Sequence, residues 1–101
     1  MGDPVVIQPG VQIPHGHIVV NGGVQVGPNV VLSPFTTLGR VNTGAGGPTI
    51  GAGVAIGTGA KVLGPVKVGN RARIGANSVV LTDVPAGATA VGVPARIILP
   101  E

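Results

Sequence analysis

The two histidines of the chain stand two residues apart, in the segment Pro14-His15-Gly16-His17. Histidine is the side chain that changes its charge nearest neutral pH, so either ring is a candidate general base. No acidic residue lies between Asp3 and Asp83, so no carboxylate close in sequence can orient either ring. The pair therefore predicts either a general base for proton abstraction or a surface turn with two exposed imidazoles.

The basic residues are concentrated in the middle of the chain. The formal net charge is +3, and the segment 40–82 contains five basic residues and no acidic one. A basic surface of this kind fits a small molecule that carries phosphate, although solvated side chains on flat β-faces would give the same pattern. A nucleic-acid partner is not expected, because Phe35 is the only Phe, Tyr or Trp and no reader motif is present. The five are Arg40, Lys61, Lys67, Arg71 and Arg73.

Aliphatic residues recur every six positions along most of the chain. A step of seven separates Ile13 from Val20, and a step of twelve separates Leu38 from Ile50. Glycine directly follows six of these aliphatic residues, and a small or β-branched residue often stands four positions after them. A short fixed period of this kind is the sequence signature of a β-helix. The twelve residues are Ile7, Ile13, Val20, Val26, Leu32, Leu38, Ile50, Ile56, Val62, Val68, Ile74 and Val80.

Six residues are enough for one short strand and one corner, so three hexads close a triangular coil. We expect each aliphatic residue to point inward and to stack on its equivalent about 4.8 Å away, the strand spacing of a sheet. Glycine at a corner removes the Cβ that would obstruct the turn. With 19 Gly and 10 Pro, long helices are not expected. The sequence therefore predicts an all-β parallel β-helix of hexapeptide repeats.

We expect residues 1–101 to form a single β-helical domain. Residues 40–49 are predicted to form one protruding loop, because Gly44 stands where an aliphatic residue is due. Residues 83–101 are predicted to cap the coil, since Pro85, Pro94 and a change of spacing end the repeat. Neither a membrane segment nor a signal peptide is expected. The absence of cysteine is compatible with the cytoplasmic location that we expect.

Three segments carry a resemblance to a known family: IGTGAKVLG at 56–64, RIGANSVV at 73–80 and VGVPAR at 91–96. They resemble the hexapeptide-repeat acyltransferases, most closely the β-helical domain of serine acetyltransferases and related O-acetyltransferases. The resemblance runs from about residue 13 to residue 97 and is strongest over 50–97. It implies a left-handed coil, a homotrimer, and active sites between adjacent subunits with acetyl-CoA along the groove there.

The resemblance also implies a catalytic histidine. In serine acetyltransferases this residue stands shortly before an aliphatic run and abstracts the proton of the acceptor before direct attack on the thioester. The segment 13–20 is similar to that motif with one residue missing, which puts His15 at the catalytic position. If the missing residue is placed differently, His17 takes the role.

Residues that contact the cofactor follow from the resemblance in the same way. By position, Gly57, Thr58 and Ala76 would line the pantetheine chain of acetyl-CoA, mainly through their backbones. Arg73, where the family often has lysine, and Arg96 would lie near the CoA phosphates. Acetyl-CoA is thus the implied co-substrate, and no metal is expected.

The chain departs from the serine acetyltransferase pattern beside the histidines and in the protruding loop. The aspartate before the catalytic histidine is Pro14 here, and the His-Pro of the loop is Gly47-Pro48. We therefore predict an acetyl-CoA-dependent acetyltransferase whose acceptor is a hydroxyl or amine on a small molecule, without specifying serine. The alternative is a non-catalytic trimeric β-helix scaffold. A zinc hydratase of the γ-carbonic anhydrase type is not expected, because it needs three histidine ligands.

Overall fold

The computed structural model describes residues 5–14, 16–40 and 46–100. The secondary structure of these residues consists of thirteen short β-strands. None of the described residues forms a helix long and apolar enough to cross a membrane. The strands are β1 (Val6–Ile7), β2 (Val19–Val20), β3 (Gln25–Val26), β4 (Val31–Leu32), β5 (Thr37–Gly39), β6 (Thr49–Ile50), β7 (Ala55–Ile56), β8 (Lys61–Leu63), β9 (Lys67–Val68), β10 (Arg73–Ile74), β11 (Val79–Val80), β12 (Thr89–Gly92) and β13 (Ala95–Ile98).

The strands form three sheets, which are the three faces of a triangular coil. The first face is β1-β3-β6-β9, the second is β4-β7-β10-β12-β13, and the third is β2-β5-β8-β11. Consecutive strands from β2 to β11 visit the three faces in turn, so each strand pairs in parallel with the strand one coil later. The left-handed parallel β-helix of hexapeptide repeats that we predicted is confirmed.

The repeated aliphatic residues form the core. Each stacks on its equivalent in the next coil, as Ile50 does on Val26 and Val68. The small or β-branched residues four positions later are buried as well, and they fill the interior near the corners. The buried residues of the six-residue series are Val26, Leu32, Leu38, Ile50, Ile56, Val62, Val68, Ile74 and Val80.

The first residues of the series depart from the prediction that all twelve point into a closed core. Ile7 is 47% exposed and Ile13 is 49% exposed, while Val20 is partly buried against the core. Ile7 and Ile13 belong to the first described coil, which has a neighbouring coil on one side only. Half of each side chain therefore lacks a partner within the described residues.

The two interruptions of the spacing appear in the strand register. Thr49 pairs with Lys67, 18 positions later, which is the length of a regular coil. Val6 pairs with Gln25, 19 positions later, because that coil contains the seven-residue step. Gln25 pairs with Thr49, 24 positions later, so this coil holds six residues more than the repeat needs. The loop that we predicted over residues 40–49 would account for this extra length. Residues 41–45 lie outside the described part of the chain, and Thr49 already begins β6.

The turns at the corners share one backbone feature. Among the described residues, the third residue after the aliphatic position has a left-handed φ in ten turns, and glycine or asparagine occupies eight of these positions. Glycine and asparagine adopt this conformation most readily. The two exceptions are Phe35 and Arg71, each with φ of 63°. Four of the glycines that directly follow the aliphatic residue serve a different purpose, because the backbone of the next coil passes too close for a Cβ there. They are Gly27, Gly51, Gly57 and Gly69.

The chain leaves the regular coil through an antiparallel hairpin. Strand β12 continues the second face in parallel with β10, and β13 then pairs with β12 in the antiparallel sense. Ala95 and Ile97 of β13 pack against the core. The buried hydroxyl of Ser78 accepts a hydrogen bond from the backbone N–H of Gly92 at 3.1 Å, which ties the hairpin to the last coil.

Candidate functional site

Four stacked turns join the second face to the third, and we call them the second corner: residues 16–18, 33–36, 57–60 and 75–78. Backbone hydrogen bonds hold neighbouring turns together. Phe35 N donates to the carbonyl oxygen of His17 at 2.7 Å, and Asn77 N donates to that of Thr58 at 2.8 Å. This corner brings together four of the seven predicted site residues: His17, Gly57, Thr58 and Ala76.

His17 is the histidine that the structure describes at this corner, since His15 lies outside the described residues. Its side chain is exposed, and its ring centroid lies 6.2 Å from that of Phe35 with an interplanar angle of 34°. Two coils separate the turn of His17 from the turn of Thr58, which corresponds to about 10 Å along the coil axis. An extended molecule laid along the corner would therefore span from the histidine to the turns of Thr58 and Ala76.

The backbone of the third and fourth turns is tightly fixed. Gly57 N donates to the carbonyl oxygen of Ile74 at 2.8 Å, and a Cβ on Gly57 would stand 2.7 Å from the nitrogen of Ala76. In the preceding second turn, the side chain of the buried Thr36 donates to the carbonyl oxygen of Ser33 at 2.7 Å. Thr58 and Ala76 are exposed, so a ligand along the third and fourth turns meets small side chains and hydrogen-bonded backbone.

Arg73 and Arg96 lie outside the second corner, on the neighbouring second face. Arg73 belongs to β10 and pairs with Thr89 of β12, while Arg96 belongs to β13 and pairs with Val91. Both arginines are exposed. Because side chains alternate along a strand, Arg73, Val91 and Arg96 all point away from the core on the same face. Strand β10 leads directly into the fourth turn of the corner, so positive charge flanks the turn that contains Ala76.

A shallow groove of about 580 Å³ lies elsewhere, at the corner between the first and second faces. None of the predicted site residues that the structure describes lines this groove, and the charged side chain in its lining is Arg71. The second corner is the more relevant surface for chemistry, because it carries the histidine and the exposed backbone. The groove is lined by Asn29, Ala52, Gly53, Asn70, Arg71, Ala86 and Gly87.

Sequence reasoning did not single out Phe35 as a site residue, although it stands between the turns of His17 and Thr58. The signal that identifies it is internal to the repeat. At the third position after the aliphatic residue, most hexads have glycine or asparagine, and Phe35 is a bulky exception. Among the described residues, no three His, Cys, Asp or Glu side chains lie close enough together to hold a metal ion.

Comparison with known proteins identifies the same hexapeptide repeat. Residues 47–82 match the family described as bacterial transferase hexapeptide (six repeats). The serine acetyltransferase of Helicobacter pylori strain J99 is 45% identical over 92 residues, which cover 88% of this chain and 54% of that protein. The serine acetyltransferase of Mycobacterium tuberculosis strain H37Rv is 45% identical over 83 residues, covering 80% of this chain and 36% of that protein.

Solved structures give the same result. A serine acetyltransferase in complex with cysteine superposes with a TM-score of 0.90 at 43% identity, covering 95% of this chain and 41% of that one. The Brucella abortus enzyme in complex with coenzyme A gives a TM-score of 0.88 at 40% identity, covering 94% and 39%. The chain thus spans about half or less of the length of these relatives. It is a hexapeptide-repeat protein that resembles the C-terminal domain of serine acetyltransferases.

Proposed function

We propose that this chain is the β-helical part of an acetyl-CoA-dependent acetyltransferase that acts on a hydroxyl or amine of a small molecule. The observation that carries the proposal is the second corner, where His17, Thr58 and Ala76 are aligned on stacked turns. The relatives support it, because several of them are serine acetyltransferases and two of the similar structures are solved in complex with coenzyme A. The acceptor of this chain is left open, since Pro14 and Gly47 differ from the serine acetyltransferase pattern.

In the proposed reaction, His15 or His17 takes the proton from the acceptor hydroxyl or amine as the acceptor attacks the thioester carbonyl. A carbon–oxygen or carbon–nitrogen bond forms while the carbonyl oxygen becomes negatively charged. Backbone N–H groups beside the thioester would stabilise that charge. The carbon–sulfur bond then breaks, and the histidine returns its proton to the departing CoA thiolate. The exposed, hydrogen-bonded backbone around Thr58 and Ala76 suits the pantetheine chain that leads to this sulfur.

The charges on the second face complete the proposal for acetyl-CoA. Arg73 and Arg96 would contact its phosphates, because guanidinium groups bind phosphate with paired hydrogen bonds. We further propose that residues 1–101 fold as one domain, that three copies assemble with the sites between neighbouring subunits, and that the protein acts in the cytoplasm.

Isothermal titration with acetyl-CoA and, separately, desulfo-CoA tests the proposal without knowledge of the acceptor. We expect saturable binding of both ligands with about one site per chain. Arg73→Ala should weaken binding about tenfold if the guanidinium contacts a phosphate. Lys67→Ala removes the same charge from an exposed position on the first face and should leave binding unchanged. Absence of heat up to millimolar ligand from the folded protein would refute the enzymatic proposal and favour a non-catalytic scaffold.

A further inference from the structure

Phe35 has a backbone conformation that its side chain does not favour. Its φ is 63°, in the left-handed region, where a bulky residue is an outlier. The equivalent residue of the last turn of the same corner, Asn77, has φ of 58° and is of a type that accepts this conformation. Backbone strain of this kind persists where the surrounding structure imposes it, and it is found often at functional sites. The turn itself therefore does not explain why a phenylalanine stands at this position.

Packing within the chain does not explain the ring either. Phe35 is 61% exposed, although it is the only Phe, Tyr or Trp in the sequence. A ring that stays largely in water contributes little of its apolar area to folding. The apolar surface of the Phe35 ring would become buried if another molecule bound at the second corner.

The position of the ring is set by the stacked turns. Phe35 N donates to the carbonyl oxygen of His17 at 2.7 Å, and Gly59 N donates to that of Pro34 at 2.9 Å. The ring thus lies between the turn of His17 and the turn of Thr58, with its centroid 6.2 Å from the imidazole. An exposed apolar surface therefore stands directly beside the described histidine.

The charges around this surface are few. Within the described turns of the second corner, His17 is the only titratable side chain. The neighbouring Lys61 directs its ammonium to the carbonyl oxygen of Gly59 at 3.2 Å, one turn beyond the ring. The part of a ligand that packs on the Phe35 ring should therefore be apolar.

We propose that Phe35 is a specificity-determining residue that forms the apolar wall of the acceptor site. The acceptor would be a small alcohol or amine whose aliphatic or aromatic group lies on the Phe35 ring while its hydroxyl or amine faces the histidine. This inference rests on the proposed acetyltransferase function.

A binding experiment tests the wall independently of turnover. Three amino alcohols differ only in the substituent on the carbon next to the hydroxymethyl group: 2-aminoethanol, 2-amino-1-butanol and 2-amino-3-phenyl-1-propanol. Each is titrated into the protein with and without saturating desulfo-CoA, and the ring proton signals of Phe35 are followed by NMR. Because no other Phe, Tyr or Trp is present, these signals are identified directly when the benzyl compound carries a fully deuterated phenyl ring. We expect saturable shifts that strengthen from hydrogen to ethyl to benzyl, and no shift with any of the three would overturn the inference.

Kinetics supply the second readout, with release of CoA followed by a thiol reagent that meets no cysteine in this protein. In the unmodified protein, kcat/KM should be about tenfold higher for the benzyl compound than for 2-aminoethanol. Phe35→Asn should reduce this ratio to about one, and Phe35→Tyr should restore most of it. Arg71→Asn is the matched control, since Arg71 has the same φ at another corner and the ratio should not change. An unchanged ratio in Phe35→Asn would overturn the inference.

Two further outcomes distinguish an acceptor wall from a subunit contact and from the absence of a cofactor site. If Phe35→Asn dissociates the assembly in sedimentation, the ring packs against another copy of the chain, and the inference is wrong. If desulfo-CoA does not bind, the proposed function fails, whereas binding of desulfo-CoA without any Phe35 shift rejects only the apolar wall.

Discussion

Gly57 and Ala76 approach each other so closely across one coil step that a Cβ on Gly57 would stand 2.7 Å from the backbone nitrogen of Ala76. The same relation recurs at other corners, for example between Gly69 and Ala86. The atoms in the way belong to the backbone of the next coil, which cannot rotate aside as a flexible side chain does. At Gly57 and at Gly69, the absence of a Cβ therefore allows the backbone of the next coil to pass this close.

This relation predicts that Gly57→Ala destabilises the fold. The added methyl group forces the two coils apart, and overpacking of this kind costs about 1–3 kcal/mol in the free energy of unfolding. The measurement is the midpoint of urea unfolding. Gly46→Ala is the matched control, because a Cβ at Gly46 has no neighbour within 4 Å among the described residues, and the stability of this variant should change little. Equal midpoints for the two variants would show that the coils adjust without cost.

Arg71→Asn should stabilise the protein. Arg71 has φ of 63°, and asparagine already occupies the equivalent turn position at Asn29 with φ of 60°. Asparagine adopts the left-handed conformation at a lower cost than arginine, and the difference is worth about 1 kcal/mol in the free energy of unfolding. Thermal unfolding checks this, with Arg73→Asn as the control. Arg73 is an exposed strand residue, and asparagine is disfavoured in strands, so that variant should not gain stability. A lower melting temperature for Arg71→Asn would mean that the arginine side chain stabilises the fold.

Ser78→Ala should loosen the hairpin formed by β12 and β13. The Ser78 hydroxyl accepts the backbone N–H of Gly92 at 3.1 Å, and the serine is completely buried. Loss of this acceptor leaves a partly buried N–H without its partner, at a cost of about 1 kcal/mol. Hydrogen exchange of the Gly92 amide should accelerate in the variant. The amide of Gly27, bonded to the carbonyl oxygen of Ile50 at 2.8 Å, serves as the internal control. Unaltered exchange at Gly92 would contradict the prediction.

Single replacement of His15 and His17 by alanine should identify the general base. Loss of the base lowers kcat by about 10²–10⁴-fold in typical enzymes, because the proton of the attacking hydroxyl or amine then has no group to receive it in the transition state. The other single variant should retain most of the turnover. Both variants should bind desulfo-CoA as the unmodified protein does, which shows that the coil is intact. Full turnover in both single variants would remove histidine from the proposed mechanism.

The repeat predicted that the corners of successive coils stack, but it did not by itself assign functional roles to residues at any corner. The resemblance suggested roles for His17, Thr58 and Ala76, and the structure aligns these residues on stacked turns. The resemblance did not indicate that Phe35 lies between the turns of His17 and Thr58, because its neighbours are set only when the coils stack in their final register. The site assignments themselves stay predictions.

The six-residue spacing by itself determined the triangular coil, the burial of residues such as Leu38 and Val62, and the extra length of the coil before Thr49. This is possible because each hexad makes the same local turn and packs on the equivalent hexad of the next coil. The tertiary structure alone decided which side chains meet across coils. The exposure of Ile7 depends on the absence of a neighbouring coil on one side within the described chain. The approach of His17 and Phe35 depends on the stacking of their two turns, which the hydrogen bond from Phe35 N to the carbonyl oxygen of His17 holds together.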